Sequence, residues 1–198
     1  GVTGRIARRH GKRIHILHVS TRDELPILAQ YRDVATVEVT PHHLTLSGDD
    51  YARLGTRLQM NPPVRGAEHR DGLWAAIQSG LVDVLGSDHA PHTLEEKAKP
   101  YPQSPSGMTG VQTLVPIMLD HVNKGRLTLE RFVDLTSQGP QRIFGLSRKG
   151  RIAEGYDADF TIVDLLRSET IRNEWIESRS QWTPYDGVRV QGWPVGTF

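Results

Sequence analysis

Leu81-Val-Asp-Val-Leu-Gly-Ser-Asp-His-Ala-Pro-His92 opens as a short, nearly all-apolar run and closes on carboxylate and imidazole side chains. A strand that is apolar on both faces is ordinarily covered on both, as in a parallel sheet flanked by helices. Such sheets bind ligands beyond the carboxyl ends of their strands. Ser87, Asp88, His89 and His92 fall there. The stretch therefore predicts an α/β fold and also the edge of that fold where chemistry belongs.

Working outward, Gly66 to Gly80 carries Leu73, Trp74 and Ile77 at helical spacing and is stopped by glycine. Upstream, Val34 to Thr40 is β-branched almost throughout and closed by Pro41. Ser20-Thr-Arg-Asp-Glu24 offers a hydroxyl cap followed by acids, and Leu25 to Tyr31 supplies a helix with Pro26 in its first turn. Arg13 to Val19 reads as a further strand, interrupted by His15 and His18, and residues 5–12 as the end of a helix stopped at Gly11. Asp49 to Leu54 makes a short segment, and Met60 to Arg65 is too proline-dense for a regular element. Downstream, helical patterns run over Val111 to Asn123 and from Thr128 to about Phe144.

From Lys149 the period changes. Gly150 to Asp164 reads as a glycine turn entering a strand, and Gly187 to Gln191 as another strand. Three of the four tryptophans lie beyond residue 170, so this tail is expected to bury itself against something. The alternation of strand and helix is that of a barrel or doubly wound sheet. Three core parallel strands cannot close a barrel, and their edges need a partner from another chain or a further segment. The chain begins Gly1-Val-Thr-Gly4 without a methionine, which suits a fragment, a processed product or an incomplete chain.

Composition narrows the function. Among 198 residues, 37% are hydrophobic and 24% charged, with a net charge of +1. The balance argues against nucleic acid, which asks for basic residues gathered on a face or arm. Only Arg5, Arg8, Arg9, Lys12 and Arg13 cluster, as the solvated side of a helix or an anion contact. No cysteine is present, which excludes disulfides and thiolate metal sites and fits a cytoplasmic protein. No apolar run is long enough for a membrane span, and the first residues do not form a secretory signal.

Four segments carry candidate chemistry. His18 stands at the end of the first strand, where imidazole can present one nitrogen to a divalent metal; a structural histidine is the alternative, and the more apt one for His15. His42 and His43, adjacent in a predicted loop, should point in different directions and serve either the site or loop packing. Asp88 sits where a general base or metal ligand is wanted, with helix capping as its plain alternative. His92, past the rigidifying Pro91, could donate to an anionic substrate. Asn61 offers donor and acceptor to an amide-like ligand, Arg65 a fork for a carboxylate or merely a surface charge. Gly107 and Gly110 permit close backbone approach or a turn. Phosphate-binding glycine loops, HExxH and nucleophile-elbow signatures are all missing.

Taken together these motifs resemble the dihydroorotases among the cyclic amidohydrolases. Gly86-Ser-Asp-His-Ala-Pro-His-Thr-Leu-Glu-Glu-Lys97 matches that family's signature, and Leu17-His-Val-Ser-Thr21, Glu38-Val-Thr-Pro-His-His-Leu44 and Met60-Asn-Pro-Pro-Val-Arg65 follow in the family's order. Gly150 to Asp164 resembles the return to its small β domain. The similarity covers essentially the whole chain.

The resemblance implies part of a (β/α)8 barrel, about strands 6–8, over residues 1–148, and part of a small β domain over 149–198. It implies zinc, one ion or two, and reversible hydrolysis of dihydroorotate to N-carbamoyl-aspartate in pyrimidine biosynthesis. By the same resemblance His18 and Asp88 are metal ligands, with Asp88 also the general base. Asn61, His92 and the Pro105 to Gly107 backbone contact substrate. The family's His-x-His, its substrate arginine, its bridging lysine or aspartate and a further histidine have no counterpart here, so the chain alone is expected to be inactive and weakly metallated. The missing half of a barrel, or self-association, is the expected partner. Related readings are an allantoinase or dihydropyrimidinase, and a non-catalytic subunit that partners a transcarbamoylase.

Overall fold

Three parallel strands stand side by side in the order in which the chain makes them. In a computed structural model describing residues 1–198, β1 (Ile14–Ile16), β2 (Ala35–Val39) and β3 (Val84–Leu85) pair β1-β2-β3. Ile14 lies opposite Ala35, and Val39 opposite Leu85. Parallel direction puts all three carboxyl ends on one edge, so His18, Thr40 to His43 and Asp88 emerge together. Between the strands run α2 (Leu25–Ala29), then α3 (Pro41–Thr45), α4 (Tyr51–Leu54) and α5 (Ala67–Gln78); α1 (Val2–Arg9) precedes β1. After β3 come α6 (Leu94–Lys97), α7 (Leu114–Asn123), α8 (Leu129–Val133) and α9 (Gly139–Phe144).

The central strand organises the core. Ala35, Val37 and Val39 of β2 are buried in strict alternation, and Val37 and Val39 join Leu73 and Ile77 of α5 and Met118 and Leu119 of α7 in one apolar cluster. Each such side chain, fully buried, contributes roughly 1.5–3 kcal/mol. A polar staple fixes the opposite end of the sheet. Arg32 grips Asp83 with both guanidinium nitrogens at 2.5 and 2.9 Å, and Asp83 accepts the Val37 N–H at 2.7 Å.

Three expectations about local structure change. The strands are shorter than expected: β1 stops before His18, whose φ of +37° ends the extended backbone inside its expected run, and β3 keeps only Val84–Leu85, with Asp88 at φ +41° just past it. His42 and His43 lie in a helix, α3, and not in a loop. Thr40 caps it by accepting the His43 N–H at 3.3 Å, and Pro41 occupies the first turn. The helix expected from Thr128 to Phe144 is divided by a wider π turn at Asp134–Gln138. Pro140, at the second position of α9, has no N–H to continue the ladder, and the turn relaxes ahead of it.

The tail adds an antiparallel ribbon, β4 (Thr161–Thr170) with β5 (Arg189–Thr197). It docks on α7 through polar groups. Asn123 Nδ2 donates to the carbonyls of Leu165 and Gln191 at 3.0 and 2.8 Å, and Asp120 accepts the Gln191 N–H at 3.1 Å. Ile171, Trp182, Tyr185 and Val190 form a second core with Leu46, Leu58, Met60 and Ile117. The tail tryptophans are therefore engaged, as their clustering suggested. No helix is long and apolar enough to cross a membrane.

Candidate active site

His18 and Asp88 are two of only four non-glycine residues with positive φ, and each stands just beyond a parallel strand. Such conformations cost on the order of 1–3 kcal/mol and persist where surrounding structure fixes them. For His18 the fixing group is Glu38, on the central strand. Its Oε1 accepts the His18 N–H at 3.1 Å, and its Oε2 lies 3.3 Å from His15 Nε2, while His15 Nδ1 meets Thr36 Oγ1 at 2.8 Å. Gly86 makes room for this carboxylate, since a Cβ at that position would overlap it. His15 thus belongs to the network beneath the site, as its odd phase suggested, and the His18 imidazole is left uncommitted.

His42 and His43 diverge. His43 Nε2 lies 3.1 Å from the Pro62 carbonyl, so that nitrogen carries the proton, and Nδ1 accepts from Thr40 Oγ1 at 2.8 Å. The ring is therefore a neutral strut between the end of β2 and the Asn61 loop. Burial holds its pKa below the ordinary value; the Pro62 carbonyl and the charge of Asp88 oppose that shift, and charge on His18 and Arg65 reinforces it. His43 thus feels both strand-end residues. His42 Nε2 donates to the Thr109 carbonyl at 2.9 Å, its ring stacks on Tyr185 at 5.8 Å, and burial pulls its pKa down to about 4.

Around this floor lie the substrate candidates. Asn61 and His18 share an open cleft of about 320 Å³ with Leu17, Ser20, Glu24 and Pro62. Arg65 is exposed. His92 packs against Gly107, whose added Cβ would come within 3.3 Å of the ring, and its Nδ1 lies 3.6 Å from Glu96 Oε2. Gly107 has φ +133°, and a side chain there would press on the Ala90 carbonyl at 2.6 Å. Its N–H already donates to Gln59 O at 2.9 Å, and the Pro105 carbonyl accepts from Lys97 Nζ at 2.8 Å. Two backbone groups of that loop are therefore engaged within the protein. Gly110 lies so close to the Ser87 carbonyl and the His42 ring that any side chain would overlap both.

His89 follows Asp88 directly. Its Nδ1 accepts the N–H groups of Gly110 and Val111 at 3.2 and 3.4 Å, tying the Asp88 segment to the start of the α7 region. No three His, Asp or Glu side chains converge as a complete metal-binding group. His18 and Asp88 are of the right chemistry for a divalent ion, imidazole and carboxylate beyond the carboxyl ends of β1 and β3 on the same edge of the sheet, and fit as part of a ligand set that needs further donors.

The sequence matches the Amidohydrolase family over residues 4–198. The chain belongs to that family. It is 44% identical over 192 residues to the dihydroorotase of Pyrococcus furiosus, covering 96% of this chain and 44% of that protein. To the dihydroorotase of Methanothermobacter thermautotrophicus it is 39% identical over 189 residues, covering 96% and 43%. Among solved structures it superimposes on the L-hydantoinase (dihydropyrimidinase) from Arthrobacter aurescens with a TM-score of 0.95 at 35% identity, over 99% of this chain and 45% of that one. The dihydropyrimidinase from Brevibacillus agri gives 0.91 at 27%, over 99% and 46%. This amidohydrolase chain thus spans less than half the length of the relatives it matches.

Sequence reasoning missed two site-supporting residues. Glu38 heads one of the family-like segments, and the sequence gives it no role of its own. Lys97 closes the family-like signature, but nothing in the sequence shows that it is fully buried.

Proposed function

We propose that these residues supply one side of the active site of a zinc-dependent dihydroorotase. They would form about strands 6–8 of a (β/α)8 barrel up to residue 148 and the return to a small β domain thereafter. The observation that carries the reading is that His18 and Asp88, both held at positive φ, stand at the carboxyl ends of β1 and β3 on one edge of the sheet, with Asn61 sharing the His18 cleft. Identity to dihydroorotases of 39–44% supports this substrate over related ring amides.

In this reading His18 and Asp88 hold the zinc together with donors outside these residues. When bound, one ion or two supply Lewis-acid polarisation of the ring carbonyl and lower the pKa of water. Asp88 takes a proton from the attacking water and returns it to the ring nitrogen as the C–N bond breaks, so that no net proton is consumed at the carboxylate. Asn61 orients the ring amide by donating and accepting at once. His92 faces the substrate carboxylate, and the Pro105 to Gly107 backbone borders the ring. The remainder of the barrel is the partner this reading requires, and a transcarbamoylase a further one.

The test is a chimera in which these residues replace the matching segment of the Pyrococcus furiosus dihydroorotase. It should open dihydroorotate and close N-carbamoyl-aspartate, lose both activities to a chelator, and turn over hydantoin and dihydrouracil at least about tenfold more slowly. The fit to the Arthrobacter aurescens enzyme favours a second reading, a hydantoin or dihydropyrimidine hydrolase. Faster turnover of those rings would establish it, and a folded, zinc-loaded chimera that opens none of them would end the cyclic-amide reading.

A further inference from the structure

Lys97 is a lysine at the end of a four-residue helix, and its side chain has no exposed surface. No carboxylate lies within salt-bridge distance. The Nζ instead donates to two backbone carbonyls, Gln59 and Pro105, each at 2.8 Å. Its own carbonyl accepts from the hydroxyls of Thr56 and, at 3.3 Å, Ser104. The residue is thus tied at both of its polar ends to the same two segments. Gln59 stands two positions before Asn61, and Pro105 opens the loop that reaches Gly107.

The two segments also touch directly. Gln59 Nε2 donates to the Ser104 carbonyl at 2.9 Å, and the Gly107 N–H to the Gln59 carbonyl at 2.9 Å. An ammonium removed from water without a counter-ion is costly to keep, and burial draws this one down to about 8. A methionine of similar length would carry no such cost. The hydrogen bonds it donates are what such a replacement would lack.

We propose that Lys97 is a positioning residue that fixes the separation between the Asn61 loop and the Pro105 to Gly107 loop, and thereby selects the size of the ring accepted between them. The inference rests on the reading that these loops border a cyclic amide. With Lys97 in place both carbonyls are drawn to one ammonium, and the loops cannot spread. Without the ammonium the Gln59 contacts and the bonds from Thr56 and Ser104 to the residue-97 carbonyl remain, but the Pro105 and Gln59 carbonyls are no longer held together, and the Pro105 to Gly107 loop can move away while His18 and Asp88, held by other strands, stay as they are.

The test uses Lys97→Met and Lys97→Gln in the chimera, with zinc content and melting measured alongside kinetics on dihydroorotate and on the smaller hydantoin ring. Lys97→Met should raise the KM for dihydroorotate about tenfold, change kcat by less than about threefold, and narrow the preference for dihydroorotate over hydantoin. Lys97→Gln, which keeps two N–H donors, should fall between it and the parent; if the methionine variant does not fold, a KM raised about threefold in the glutamine variant carries the same conclusion. A folded, zinc-loaded Lys97→Met with KM and ring preference within about twofold of the parent overturns the proposal, as does loss of kcat and zinc with KM unchanged. A parent chimera that acts on no cyclic amide refutes the functional reading instead. Hydrogen exchange at Gly107 and Ser106 then decides the clamp by itself: faster exchange in the variant supports it, and unchanged exchange rejects it.

Discussion

Replacing Glu38 by alanine should loosen the site from below without touching a ligand or substrate. The carboxylate accepts the His18 N–H at 3.1 Å and sits beside His15, in a network where both side chains are mostly buried. A hydrogen bond to a charged, partly buried acceptor is worth about 1.5–3 kcal/mol. Against this, His18 is released from a positive φ that costs roughly 1–2 kcal/mol for a residue with a Cβ. The two terms nearly cancel in global stability, so the chimera should melt within a few degrees of the parent. They do not cancel for zinc. The imidazole must now be placed by the ion and no longer by the backbone, and the loss of such a supporting group lowers affinity about 10–100-fold. Glu38→Gln, which retains an acceptor oxygen, should lose less. Competition with a chromogenic chelator reads the affinity, and calorimetry the melting. Unchanged zinc affinity in a folded Glu38→Ala variant would refute the argument that Glu38 holds His18 in position.

Three further outcomes are expected. Asp88→Asn should lower turnover of the chimera by about 10²–10⁴ with its circular dichroism intact, and parent-like rates would remove Asp88 from proton transfer. Gly110→Ala must displace the Ser87 carbonyl or the His42 ring; it should destabilise by about 1–3 kcal/mol in urea and depress activity more than melting, whereas a silent substitution would show the contact to be compliant. His42 and His121 are buried with pKa values pulled to about 4. Because the unfolded chain binds their protons first, stability is full at neutral pH and falls as pH drops from about 6.5 towards 4, by on the order of 1–2 kcal/mol per histidine at pH 5. Urea midpoints should show that slope, shallower in His42→Gln; equal slopes in the two proteins would exclude His42 as a source.

What could be read from the sequence was whatever follows a periodic or chemical rule. The apolar run ending at Leu85 gave a parallel strand, and its direction put the residues just past it on the carboxyl edge of the sheet. The Thr40-Pro41 pair carried a cap signal for α3 that the adjacent histidines masked. Positive φ at His18 and Asp88 has no signature in a sequence, because only glycine advertises that conformation. Lys97 was beyond pattern for a different reason. The signature marks the lysine but not its burial, which depends on carbonyls that come from residues 38 positions upstream and 8 downstream.

The route of hydrogen bonds through Trp182 bears on how this part of the protein can be cut and recombined. Its indole N–H reaches the His92 carbonyl at 2.6 Å, its own carbonyl accepts from Thr109 Oγ1 at 2.8 Å, and the Thr109 carbonyl accepts from His42. The tail is therefore laced to the His92 segment and to the loop before α7, although it follows a change of period that looks like a boundary in sequence. Modules joined only by a linker can be shuffled independently. Here a graft that exchanged residues after 148 for those of another amidohydrolase would also replace a piece of the scaffold under His92, and the placement of that segment would travel with the tail.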